Sequence, residues 1–130
     1  MEPQRCTDLR LHHIEKELLA REPIFHHREL GASQSSLEEA TEESFWEVGA
    51  SGRRYSRQFV IETVLKRWSE QHEDEWQLSE PYCQELAKDL YLLTYTLQQG
   101  ARVSHRSTLW RQASGSWKIV FHQGTVVEIP

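Results

Sequence analysis

Apolar side chains recur at helical spacing through the first half of the chain and at alternate positions through the second. Leu11, Ile14 and Leu18 predict an amphipathic helix over Asp8–Arg21, with Glu15, Lys16 and Glu17 turned to water. Pro23 is expected to end it, because the residue before a proline is pushed out of helical dihedrals. Ile24 and Phe25 should then tuck beneath the helix. Ser35-Ser36-Leu37-Glu38 reads as a capping box that opens a short second helix ending near Glu43. Ser44 to Val48 is a short strand, and Gly49-Ala50-Ser51-Gly52 a turn. Ser56 is placed to cap a third helix whose apolar face is Phe59, Val60, Val64 and Trp68, and the polar stretch Ser69 to Glu75 closes it.

From Trp76 onward the period is two. Leu90 to Gln99 is the strongest strand, with Tyr91, Leu93, Tyr95 and Leu97 on one side and Thr94, Thr96 and Gln98 on the other. Gly100 starts a reversal. Val103 to Arg111 runs back, with Ser107 and Leu109 opposite Arg106, Thr108 and Trp110. Ser114-Gly115 signals a hairpin, and Trp117 to Val127 is the last strand, with Trp117, Ile119 and Phe121 opposite Lys118, Val120 and His122. The expected order is helix, helix, strand, helix and four strands, an α+β chain. Its 130 residues suit one domain over 1–130.

Composition narrows the function classes. A net charge of −5 is poorly suited to neutralising phosphates, so no nucleic-acid partner is expected. No run of about 18 apolar residues is present and the opening residues are polar, so no membrane partner or signal peptide is expected. Cys6 and Cys83 fit neither metal spacing nor a disulfide framework, which points to a reducing compartment, the cytoplasm. The five Trp, four Tyr and four Phe supply large aromatic payloads for a core or a cavity.

Three local patterns resemble the nuclear transport factor 2-like superfamily, whose relatives include SnoaL-like polyketide cyclases and ketosteroid isomerases. They are FWEVGASGRRYSRQFV (45–60), STLWRQASGSWKIVFHQGT (107–125) and PIFHH (23–27). With the element order, they make the chain similar to an uncharacterised bacterial branch of that superfamily. The resemblance implies a cone: a strongly curved, mainly antiparallel sheet with a mixed edge wraps around three N-terminal helices and leaves a cavity at its open end. It also implies a homodimer through the outer face of the sheet. A fold of this kind hosts unrelated activities, so the resemblance does not name a reaction.

Candidate chemistry centres on two residues. Glu47 lies between Trp46 and Val48, and a carboxylate among apolar neighbours has the raised pKa of a general base, unless alternation sends it to solvent or Arg53 or Arg54 pairs with it. His122, in the sequence HQGT, would stand near the open end of such a cone, where its pKa near 6.5 suits acid–base work. In ketosteroid isomerases a catalytic Asp falls near the position of Val48 and a first-helix tyrosine donates to the oxyanion. Valine transfers no proton and the first tyrosine here is Tyr55, which argues against that isomerase chemistry.

Tyr55, Trp46, His26, Arg106, Trp110 and Gln123 complete the expected ligand contacts. Tyr55 offers a ring and a hydroxyl. An arginine such as Arg106 inside the cavity would favour a carboxylate or phosphate, whereas on the outer face it would make rim contacts in a dimer. The His12–His13 and His26–His27 pairs have no third ligand at metal spacing, so no metal and no cofactor are expected. The functional expectation is a protein that binds a small organic molecule in an aromatic-rich cavity, with acid–base chemistry of isomerase, cyclase or hydrolase type as its catalytic form. The alternative is a non-enzymatic, dimeric protein-interaction module.

Overall fold

The computed structural model describes residues 1–71 and 75–128, so part of the polar stretch expected to follow the third helix, 72–74, lies outside the described residues. Asp8 caps a short 3-10 turn, Leu9–Leu11, by accepting from the Arg10 amide, and helix α1 follows over His12–Arg21. The α-helix ends at Arg21, as the sequence led us to expect, and Pro23 leaves helical dihedrals at ψ 25°. A proline is tolerated in the first turn of a helix, where its missing N–H has no partner to lose. The chain therefore passes directly into a second 3-10 turn, Glu22–Phe25, with Pro23 at φ −80°. That continuation buries Glu22 instead of leaving it at a frayed helix end.

Helix α2 spans Gln34–Glu39, and its cap is Ser33, which accepts from the Ser36 amide, two residues before the expected box. Strand β1 runs over Thr41–Val48, three residues longer than its apolar stretch announced. After the glycine turn, Arg54–Ser56 forms a short strand β2 that the sequence did not signal. Helix α3, Arg57–Ser69, starts at the expected cap, Ser56 accepting from the Phe59 amide. The Arg57 guanidinium ties the helix down, donating to Thr41 Oγ1 at 3.0 Å and to the Glu38 carbonyl at 2.8 Å.

Strands β3 (Gln77–Ala87), β4 (Leu90–Gln99), β5 (Arg102–Ala113) and β6 (Ser116–Val126) form an antiparallel meander. The six-stranded sheet has the order β2-β1-β6-β5-β4-β3, with β1 parallel to β6 and every other pair antiparallel. The three helices pack on its inner face. Leu18, Leu37, Val64 and Trp68 meet Phe45, Leu93, Leu97 and Ile119 in one core. Among the described residues no helix is long and apolar enough to cross a membrane.

One irregularity decides what faces inward. Along β5 and β6, Trp110 pairs with Ile119 but Leu109 pairs with Phe121, so Val120 is an extra residue and β6 carries a β-bulge there. Before the bulge Trp117 and Ile119 point into the core; after it His122 and Gly124 do, although strict alternation placed His122 on the opposite face from Ile119. The register of β1 shifts between Thr41 and Trp46 as well. Phe45 and Glu47 face the helices and Trp46 faces out, 44% exposed.

Candidate active site

A cavity of about 1030 Å³ opens between the inner face of the sheet and α3. Phe25 and Trp76 stand on its helix-turn and β3 side, and Tyr55 and Phe59 on the side of the glycine turn. Tyr55 and Phe59 stack with centroids 5.0 Å apart, and His26 lies against Trp76 at the same distance. Gly49 lets Tyr55 close in: a Cβ at that position would stand 2.9 Å from the ring.

The polar side of the cavity is a row across the sheet. Tyr55 pairs with Glu47, Glu47 with His122, and His122 with Thr108 on neighbouring strands. Behind that row sits Glu22, only 5% exposed. Its Oε2 accepts from the Tyr95 and Thr108 hydroxyls, each at 2.7 Å, and its Oε1 accepts from the Trp110 indole at 2.8 Å. Three donors converge on one carboxylate, the arrangement that suits its charged form. Burial works against them and prevails, pushing the Glu22 carboxyl up to about 7.

The same Thr108 hydroxyl lies 2.7 Å from His122 Nδ1. While Glu22 is ionised Thr108 spends its one proton on it, so Nδ1 donates to Thr108 and Nε2 is left as an acceptor. That nitrogen faces the Arg106 guanidinium at 3.4 Å. Burial, with Arg106 close by, pushes His122 down to about 3. His122 is thus a neutral imidazole at pH 7, and with Glu22 ionised it holds no proton to give from Nε2. Glu47 is shifted the opposite way. Burial raises its pKa, while Arg106 and Arg67 partly offset the effect.

The residues singled out in the sequence divide clearly. Glu47, Tyr55, His26, Arg106 and His122 line the cavity together. Trp46, Trp110 and Gln123 are not part of its lining. Trp46 packs on Phe121 on the outer face, Gln123 is exposed beyond the bulge, and Trp110 is fully buried and spends its indole on Glu22. The reason is alternation for Trp46 and the bulge for Gln123. Neither Arg53 nor Arg54 is the charge beside Glu47; Arg106 and Arg67 are. Sequence reasoning missed Glu22 altogether, because a Glu before a proline at a helix end reads as a solvated terminus. Among the described residues no group of three or more His, Cys, Asp or Glu side chains is arranged to hold a metal ion.

Solved structures share this architecture over nearly the whole chain. A nuclear transport factor 2-like protein from Cytophaga hutchinsonii aligns with a TM-score of 0.71 at 11% identity, covering 93% of this chain and 100% of that one. The chain has the nuclear transport factor 2-like fold. A second nuclear transport factor 2-like protein, of unknown function, from Silicibacter pomeroyi, aligns at 0.65 with 18% identity over 92% of this chain and 100% of its own. A protein from Parabacteroides distasonis provisionally assigned as a ketosteroid isomerase aligns at 0.67 with 13% identity over 95% of this chain and 96% of its own. No protein-family model matches the sequence, and no curated protein matches it significantly. At these identities the likeness carries the nuclear transport factor 2-like cone and leaves its contents to this chain's own residues.

Proposed function

We propose that the chain, acting as one domain over 1–130, binds a small organic molecule in the cone cavity and that Glu47 exchanges a proton with it without a cofactor. The observation that carries this reading is the placement of Glu47: a carboxylate on the wall of an aromatic-lined cavity, its charge disfavoured by burial. A base in that state abstracts a proton from a carbon or hydroxyl acid more readily than a solvated carboxylate does. Tyr55, its cross-strand neighbour, is the hydroxyl donor to the ligand. His122 acts as a positioning residue. Its neutral ring, held through Thr108 to Glu22, keeps Nε2 turned toward Arg106 and so fixes the guanidinium beside Glu47.

The direct test is a screen of small ketones, esters and acids by thermal shift, followed by incubation of each binder with the protein in D2O. Deuterium entering the binder with the wild-type protein and not with Glu47→Gln supports the proposal. Binders that take up no deuterium with either protein leave a binding module and remove the base. A chain that no small molecule stabilises removes the cavity reading.

A second surface supports the interaction-module reading. On the outer face Leu92, Leu109, Phe121 and Trp46 stand in register on four adjacent strands, an apolar row ending in an exposed tryptophan. We take it as the contact of a homodimer formed sheet to sheet, compatible with an open cavity on the other face. Cys6 and Cys83 are free thiols, in keeping with a cytoplasmic setting.

A further inference from the structure

We propose that the cavity's ligand carries a single carboxylate, bound by Arg106, on an apolar or aromatic body held by the surrounding rings. This rests on the cavity reading above and adds the ligand's charge and its orientation.

The Arg106 side chain projects from the inner face of β5 between Ser104 and Thr108, into the cavity. Its Nε donates to Ser104 Oγ at 3.0 Å, and one terminal nitrogen faces His122 Nε2 at 3.4 Å. A guanidinium has five N–H donors, so most of its fork remains unspent. Among the described residues no carboxylate is ion-paired with it. Glu47 and Glu22 act on it only through space, and a half-buried guanidinium with no carboxylate bonded to its fork is stabilised when an anion arrives there.

The surroundings keep the fork available. Gly124 stands opposite Arg106 on β6, and a Cβ there would lie 3.4 Å from Nε and 3.5 Å from Cζ, so the guanidinium rests on bare backbone. Ser104, 1% exposed, anchors the Nε side. The terminal N–H groups are then the ones turned to the cavity. Two parallel N–H donors in one plane match a carboxylate better than a point charge does.

Charge balance separates a carboxylate from a phosphate. Arg67, Arg102 and Arg106 line the cavity with Glu22, Glu47 and Glu75. Burial works against the ionisation of Glu22 and Glu47, yet Glu47 still places a carboxyl within reach of Arg106. A single carboxylate brings one negative charge next to that carboxyl, whereas a phosphate dianion brings two. Phe25, Trp76, Tyr55 and Phe59 leave the rest of the volume suited to an apolar or aromatic body. With its carboxylate on Arg106, such a ligand lies within the reach of Glu47, the carboxyl on which the Arg106 charge already acts.

The test uses the full chain and matched probes: 3-phenylpropionate and indole-3-acetate, their primary amides, and phenyl phosphate, each titrated by calorimetry at pH 7. The acids are expected to bind at least about tenfold more tightly than the amides and than phenyl phosphate. Arg106→Gln should erase that preference. Arg106→Lys, which keeps the charge and loses the fork, should retain only part of it and serves where the glutamine variant does not fold. Amides that bind as well as the acids, or an acid preference that survives Arg106→Gln, would overturn the proposal and leave the cavity reading standing. Phenyl phosphate as the tightest probe would overturn it in favour of a dianion. If neither acids nor amides bind, the proposal and the cavity reading fall together.

Discussion

Glu22 Oε2 and His122 Nδ1 lie 3.8 Å apart, with the Thr108 hydroxyl hydrogen-bonded to both. One hydroxyl therefore links two titratable groups: it stabilises charge on the carboxylate and, with that charge present, takes the Nδ1–H of the imidazole. Thr108→Val keeps the shape and deletes the link. Glu22 keeps two donors, but the His122 Nδ1–H is left buried and unpaired. Urea unfolding at pH 7 should show a loss of about 2–3 kcal/mol. A loss under about 0.5 kcal/mol would mean the hydroxyl is not the shared partner described.

The pair also predicts how stability varies with pH. Glu22 is raised from 4.5 to about 7, so the folded chain binds its proton more tightly than the unfolded chain. Its contribution is fully present below about 4.5 and is lost as pH rises through about 7. His122 is lowered from 6.5 to about 3, so its contribution is present above about 6.5 and is lost as pH falls toward about 3. Between about 4.5 and 6.5 the two slopes oppose each other, each worth up to about 1.4 kcal/mol per pH unit. The wild-type urea midpoint should therefore vary little from these groups across that window. In His122→Gln the Glu22 slope stands alone, and stability should fall as pH rises from 5 to 7. A variant whose profile parallels the wild type would refute the opposed assignment.

The floor of the turn makes a separate case. A Cβ at Gly49 would stand 2.9 Å from Tyr55, whose ring is held by Phe59 on its other side. Gly49→Ala should cost about 1–3 kcal/mol through overpacking. It should also displace Tyr55, so a ligand identified in the screen should lose affinity by more than the global stability change explains. Unchanged affinity would show that Tyr55 does not contact the ligand.

The outer face has its own variant. Trp46 packs on Phe121 with centroids 4.7 Å apart, on the opposite side of the sheet from the cavity. Trp46→Glu places a charge in the apolar row and should shift sedimentation equilibrium from dimer to monomer. Ligand binding should be unaffected. A wild-type chain already monomeric at high concentration would sink the sheet-to-sheet dimer.

The helices and the meander were legible because each rests on a simple period. Leu11, Ile14 and Leu18 mark one helical stripe, and Tyr91, Leu93, Tyr95 and Leu97 one strand face, all but Leu11, Ile14 and Tyr91 exposed by 3% or less. The inclusion of Glu47, Tyr55, His26, Arg106 and His122 in one lining was legible in part, since each is a polar or aromatic residue beside a turn or within a strand. What could not be read was anything that depends on counting across an irregularity. His122 sits inside only because Val120 breaks the alternation, and no feature of Val120 as a residue announces it. Glu22 was hidden for a different reason: its three donors come from Tyr95, Thr108 and Trp110, more than 70 residues away in the chain. Its burial is a property of the assembled sheet.

The extra residue at Val120 makes the register of the last strand matter more than its composition. Removing that residue would return β6 to strict alternation with His122 and Gly124 still facing into the cone, whereas straightening the strand with Val120 kept would turn them out and carry Gln123 in. Side chains along this stretch can drift by substitution one at a time. A change of register there cannot be absorbed in that way, because pulling the bulge straight with every residue kept everts the working end of the strand at one stroke.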